Sequence, residues 1–195
     1  MRNSKVKGFT LVELIVVIAI IGILAAILVP SMLGYVRNAK ISSANSGAKQ
    51  VHTAAASALT QLGISNWDWG DEVEEGYFTL TPDSVGTDDD GLALLSPEWE
   101  GVTNEPEPED LDLVAYLGET FSDFGRAFFN LGTYSVTVAC YATQEASWDV
   151  VAEHVTAAEL LGVTEGDQKS DAKNGFIYGI YPAPGLTAPA AADEG

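Results

Sequence analysis

The chain has 195 residues, 47% of them hydrophobic, and carries nine basic and 28 acidic side chains for a formal net charge of −19. Six of the basic residues precede residue 50, and every acid except Glu13 lies from Asp68 onward, so the last two-thirds is strongly anionic and no nucleic-acid binding by it is expected. A single cysteine, Cys140, excludes an intramolecular disulfide, and two histidines with no glycine-rich phosphate loop, metal-binding Cys/His cluster or GxSxG elbow argue against an enzyme.

Residues 1–8, MRNSKVKG, form a short basic leader with no acid. Residues 9–33 follow, apolar almost without a break, with Glu13 as the one charge. As a helix this run is about 37 Å long, enough to cross a bilayer core of about 30 Å. It is too long for a cleaved secretory signal, whose apolar region is typically about 7–15 residues. Basic residues on the leader hold the N-terminus in the cytoplasm and direct the C-terminal part outward, a single-pass arrangement. A carboxylate within the bilayer costs at least a few kcal/mol unless partnered, and no Lys or Arg lies between Lys7 and Arg37.

Gly8-Phe9-Thr10-Leu11-Val12-Glu13, behind a basic leader and ahead of an apolar run containing Gly22 and Pro30, resembles the cleavage and methylation motif of type IV prepilins. The resemblance covers residues 1 to about 60. It implies cleavage between Gly8 and Phe9 and N-methylation of Phe9 by a prepilin peptidase/N-methyltransferase. It also implies an inner-membrane assembly platform and a homo-oligomeric helical filament. Cleavage creates a cation, the Phe9 amine, one turn from Glu13. Pairing of that amine with Glu13 of a neighbouring subunit sets the axial register, as buried polar groups do elsewhere. Gly22 and Pro30 weaken the helix and favour a kink or local melt.

From Ser31 to Leu62 the apolar residues Leu33, Val36, Ala44, Ala48, Val51, Ala55, Ala58, Leu59 and Leu62 recur at helical spacing. This predicts an amphipathic continuation of the same helix over 34–63, ending at Gly63 as its C′ residue. His52 on it reads as a surface or packing histidine.

The acidic head is expected over 64–182. Trp67 and Trp69 read as packing residues, and residues 77–81, YFTLT, as a short strand ended by Pro82. Asp88, Asp89 and Asp90 before Gly91 make a weak calcium candidate, since calcium takes several oxygens on a flexible loop. The spacing is not that of an EF-hand, and a solvated acidic loop is the plainer reading. No cofactor is otherwise expected. Residues 105–112, EPEPEDLD, read as an extended surface loop.

Leu113, Leu117, Phe121, Phe124, Phe128 and Leu131 have helical spacing, predicting one or two short helices broken near Gly118 or Gly125. Residues 133–143, TYSVTVACYAT, alternate as a strand with Cys140 on its apolar face. Residues 148–161 are ambiguous between a strand with a helical turn and other structure, 162–174 are polar, and 175–181, GFIYGIY, form a last strand paired with 133–143. The Ala- and Pro-rich residues 183–195 are expected to be a disordered tail.

The expected fold class is α+β: a long N-terminal helix, half transmembrane and half amphipathic, packed on a small antiparallel sheet. The expected function is structural. The chain is held in the bacterial cell membrane, processed, and assembled into an extracellular pilus for adhesion, motility or DNA uptake. Two alternatives share parts of this front end: a minor pilin or pseudopilin of a type II secretion or competence system, and a membrane-anchored binding protein that does not polymerise.

Overall fold

The computed structural model describes residues 9–70, 74–119, 121–154 and 156–183. The leader with Gly8, and the tail beyond Ala183, lie outside the described residues. The chain divides into two units, Met1–Asn38 and Ala39–Gly195.

Helix α1 spans Leu11–Ser65 and is continuous through Pro30. In the first unit its side chains from Leu11 to Val36 are all exposed, including Leu33 and Val36, which the sequence pattern assigns to the packed stripe. From Ala39 onward the stripe is real. Ile41, Ala44, Ala48, Val51, Ala54, Ala55, Ala58, Leu59 and Leu62 are buried. The helix ends two residues later than expected. Asn66 adopts φ 53°, its N–H bonds the Gly63 carbonyl at 3.2 Å, and the Trp67 N–H bonds the Leu62 carbonyl at 3.0 Å. This double bond pattern is a Schellman close with Asn66 at C′. Gly63 stays helical; a Cβ on it would sit 3.2 Å from the Tyr134 ring, so its bareness serves packing.

The second unit holds an antiparallel five-stranded sheet in the order β4-β1-β5-β6-β7. Its strands are β1 (Glu75–Leu80), β4 (Glu98–Glu100), β5 (Phe124–Asn130), β6 (Ser135–Ala142) and β7 (Tyr178–Tyr181). Strands β2 (Val85–Thr87) and β3 (Ala93–Leu95) form a separate hairpin. One face of the sheet carries Phe78, Leu80, Ala127, Phe129 and Ala139 against α1. Phe124, Phe128, Val138, Cys140, Tyr178 and Ile180 on the other face pack beneath α3 (Glu145–Ala152) and α4 (Ala157–Gly162). Helix α5 (Glu165–Lys173) joins a third cluster, in which Ala172 and Ile177 meet Ile41 and Ala44 of α1. The sheet is thus covered on both sides, and its central strand β5 is buried on both faces along nearly its whole length.

That double burial corrects the expectation for 111–131. The helix there is a single short one, α2 (Val114–Leu117), closed at Gly118 with φ 85°. Phe124 and Phe128 belong to β5, the central strand. Their spacing of four, read as helical, satisfies a two-residue period equally well. In the stretch 148–161, left ambiguous by its sequence, residues 148–152 lie in α3 and 157–161 in α4, and no strand occurs among its described residues. The polar stretch 162–174 contains α5. Thr156 with Glu159, and Thr164 with Asp167, form reciprocal capping boxes that start α4 and α5. The strands at 77–81, 133–143 and 175–181 are found as β1, β6 and β7, and β7 pairs with β6. The Tyr181–Pro182 peptide is cis.

Candidate functional site

The N-terminus of α1 places Phe9, Thr10 and Glu13 at the start of the exposed apolar segment. Thr10 is the N-cap. Its N–H and its Oγ1 both donate to Glu13 Oε2, at 2.9 and 2.6 Å, and the Glu13 N–H donates to Thr10 Oγ1 at 3.3 Å. This is a capping box, visible in the sequence as Thr-x-x-Glu before an apolar run. The carboxylate therefore has neutral partners within its own chain, and it also faces the positive end of the helix dipole. Both side-chain bonds use Oε2. Oε1 has no hydrogen bond among the described residues, so one oxygen stays open to a cation.

Phe9 is 76% exposed, and Leu11, Ile15, Ile18, Ile23, Ile27 and Met32 are each at least half exposed. Such a continuous apolar surface marks a site for lipid or protein. The helix is long and apolar enough to cross a membrane. Gly22 has open space where a Cβ would stand, so no contact within one chain requires glycine there. Beyond Pro30, the Ser31 hydroxyl donates to the Leu28 carbonyl at 2.9 Å.

In the head, Asp88 organises the β2–β3 hairpin. Its Oδ1 accepts from the N–H groups of Asp90 and Leu92 at 3.0 and 2.8 Å. No group of three or more His, Cys, Asp or Glu side chains is arranged to hold a metal ion among the described residues. Cys140 is fully buried, and burial pushes its thiol up to about 12, so it is unreactive. His52 is half-buried with its ring edge-on to Tyr181 at 4.9 Å, and burial lowers its pKa. His154 Nδ1 lies 3.1 Å from the Val150 carbonyl. Trp69 is buried among Trp99, Phe129 and Tyr134, while Trp67 donates to the Asn104 carbonyl at 3.4 Å. Both are packing residues.

Composition alone did not single out Arg126. It is buried on β5, and its Nε donates to Thr79 Oγ1 at 2.9 Å. Its Nη1 donates to the carbonyls of Ala152 and His154, at 3.2 and 3.1 Å, at the end of α3. The guanidinium lies 4.8 Å from the Tyr77 ring centroid and 5.6 Å from that of Phe124. It takes carbonyls, a hydroxyl and aromatic faces as partners, a structural use of a cation at a helix C-terminus.

Residues 3–29 match the family model described as the prokaryotic N-terminal methylation motif. The chain is similar to a type IV major fimbrial protein, FimA, of Dichelobacter nodosus, 35% identical over 49% of this chain and 65% of that protein. It is also similar to the type IV major pilin protein PilE1 of Neisseria gonorrhoeae, 32% identical over 58% of this chain and 54% of that one. A fimbrial protein of Pseudomonas aeruginosa is 47% identical over 28% of this chain and 36% of its own length. The chain spans less than two-thirds of the length of each. No solved structure matches it. The motif lies where the capped, exposed helix begins, and the matched relatives are type IV pilins and fimbrial proteins, which supports a place in the type IV pilin family.

Proposed function

We propose that this chain is a structural subunit of a type IV pilus, a filament builder with no catalytic role. The observation that carries the reading is the wholly exposed apolar half of α1, continuous in sequence with a helix half whose stripe is buried in a folded head. Water does not tolerate such a surface, so it resides in lipid or against other copies of itself. The chain begins in the bacterial membrane with its N-terminus cytoplasmic and ends in an extracellular fibre.

In this reading, prepilin peptidase cuts between Gly8 and Phe9 and methylates the Phe9 amine. Glu13 keeps Oε2 on Thr10, and Oε1 receives the Phe9 amine of a neighbouring subunit as a charge-assisted bond. Gly22 and Pro30 let the intervening segment extend as subunits pack. Removal from lipid by an inner-membrane assembly platform leaves the apolar helices only one another to bury against. Calcium binding at Asp88–Asp90 is a minor proposal of the same reading, tested by titrating the protein with calcium alone.

Shearing fibres from cells tests the function. The expected result is a filament fraction in which this chain dominates by mass. A trace amount in a fibre built of another pilin assigns it to the minor pilins or pseudopilins. Its absence from every fibre, with unprocessed and processed strains behaving alike, assigns it to non-polymerising membrane proteins.

A further inference from the structure

The second unit is poor in usable cations. Among its described residues they are Lys40, Lys49, Arg126, Lys169 and Lys173. Arg126 is buried, Lys169 pairs with Glu165, and Lys49 lies over the Tyr181 ring. Lys40 and Lys173 are exposed, and neither has a carboxylate within ion-pair distance among the described residues.

Lys40 lines a cleft of about 350 Å³ between α1 and the end of β6. Ser43, Ser46, Gln50, Thr143 and Gln144 line it, with the Tyr141 ring. No carboxylate does. Other surface clefts of this unit are acidic: one carries Glu75 and Glu100, a second Glu153, Glu159, Asp167 and Asp171, a third Asp68 and Glu105. In a head this anionic, a cleft walled by hydroxyls, amides and one free ammonium is a place where a carboxylate is attracted rather than repelled.

We propose that the Lys40 cleft is a socket for the acidic loop 105–110 of a second copy of this chain. Four carboxylates, Glu105, Glu107, Glu109 and Asp110, are exposed on that loop, and none has a cation within ion-pair distance among the described residues. Pro108 opens a single 3-10 turn, Pro108–Asp110, and neither it nor Pro106 has a backbone N–H to offer the carboxylates. Other acids have local duties: Asp88 closes a hairpin, Asp167 caps α5 and Glu165 pairs with Lys169. The proposal rests on the filament reading and adds a second intersubunit contact, in the heads, that discriminates among partners by charge.

The test uses the full-length chain in cells that assemble it. Lys40→Glu is expected to lower the sheared filament yield by at least about tenfold, because like charges at an interface cost several kcal/mol. Lys40→Arg is expected to stay near wild type, and adding Glu107→Lys with Glu109→Lys to the Lys40→Glu chain to restore filaments. A second measurement does not depend on yield. With Cys140 buried, Lys40→Cys and Glu107→Cys in one chain supply the accessible thiols, and a short bis-maleimide on filaments is expected to produce a ladder of covalent multimers. Normal yield from Lys40→Glu, failure of the swap to restore it, or filaments that give no ladder each overturns the socket while leaving the pilin reading intact. If the wild-type chain forms no filament at all, both fall. If Lys40→Glu instead abolishes binding to phosphatidylglycerol vesicles while filaments form normally, the cleft serves a lipid headgroup and the socket is wrong.

Discussion

Asn45 on α1 holds the backbone of Ile180 on β7. Its Oδ1 accepts the Ile180 N–H at 2.9 Å and the Gln168 Nε2 of α5 at 3.1 Å. Strand β7 ends the sheet, and this N–H, which no further strand takes, is received by the helix. Beside it the strand comes so close that a Cβ on Gly179 would stand 2.0 Å from the Ala44 carbonyl. One amide thus ties the long helix, the last strand and the last helix together. Asn45→Ala leaves the Ile180 N–H without an acceptor, while Gln168 Nε2 keeps the Tyr178 carbonyl at 3.2 Å, and is expected to cost about 1–3 kcal/mol. For a chain of this size that is a fall of about 2–4 °C in melting temperature per kcal/mol, read by circular dichroism in detergent. An unchanged melting temperature would show that water replaces the amide there.

The glycines divide into two kinds. Gly179→Ala drives a methyl into the α1 backbone, which cannot give way, and is expected to destabilise the head by more than about 3 kcal/mol. Gly22→Ala meets open space within the chain and is expected to leave the monomer's melting temperature unchanged or slightly higher, since alanine favours helix by about 0.5–1 kcal/mol. Its effect belongs to the filament, where a helix that resists extension is expected to lower yield. Equal yields from Gly22→Ala and wild type would remove Gly22 from the assembly mechanism.

Arg126 is expected to resist its conservative replacement. Lysine keeps the charge but loses the planar fork that reaches Thr79, Ala152 and His154 while stacking on Tyr77. Arg126→Lys should cost about 2–4 kcal/mol, and Arg126→Met no more than that, because methionine leaves no buried charge. A near-neutral Arg126→Lys would place the stabilisation in charge alone.

His52 gives the head a pH dependence above the carboxylate range. Burial lowers its pKa below the ordinary 6.5, so the unfolded chain binds the proton more tightly. Stability is full above pH 6.5 and declines as the pH falls from there toward the folded-state pKa. Melting temperatures measured between pH 8 and pH 5 should fall across this window in the wild type and stay flatter in His52→Gln. Parallel curves for the two proteins would assign the dependence to the acids.

Glu13→Gln separates two roles of one side chain. Glutamine retains an oxygen for the Thr10 bonds, so helix content and processing should persist. The charge is gone, so filament yield should fall by about tenfold or more, the worth of one charge-assisted bond. Thr10→Ala does the converse, removing the cap at a cost of about 0.5–2 kcal/mol while leaving the charge. Wild-type filaments from Glu13→Gln would reduce Glu13 to a capping residue.

What the sequence made legible follows from how many neighbours decide each element. The apolar run from Phe9 and the stripe from Ala44 to Leu62 are long and strongly periodic, so both halves of α1 were readable, as were β1, β6 and β7. Strand β5 was not. Gly125, Ala127 and Phe129 face α1 while Phe124, Arg126 and Phe128 face α3 and α4, and a strand buried on both sides loses its alternation. Helix α5 has a polar surface, and its clearest signal was the Thr164–Asp167 capping pair rather than any apolar stripe. At the N-terminus the motif was evident, yet the same letters also encode the Thr10–Glu13 cap. Nothing local in the sequence marks Asn45 or the Lys40 cleft, because each is assembled from segments about 100 residues or more apart.

The central claim is that the working polypeptide begins at residue 9. Intact-mass and N-terminal fragment spectra of the chain purified from filaments test it directly. The account predicts an N-methylated phenylalanine, Phe9, as the first residue. A functional chain that still begins at Met1 would contradict it.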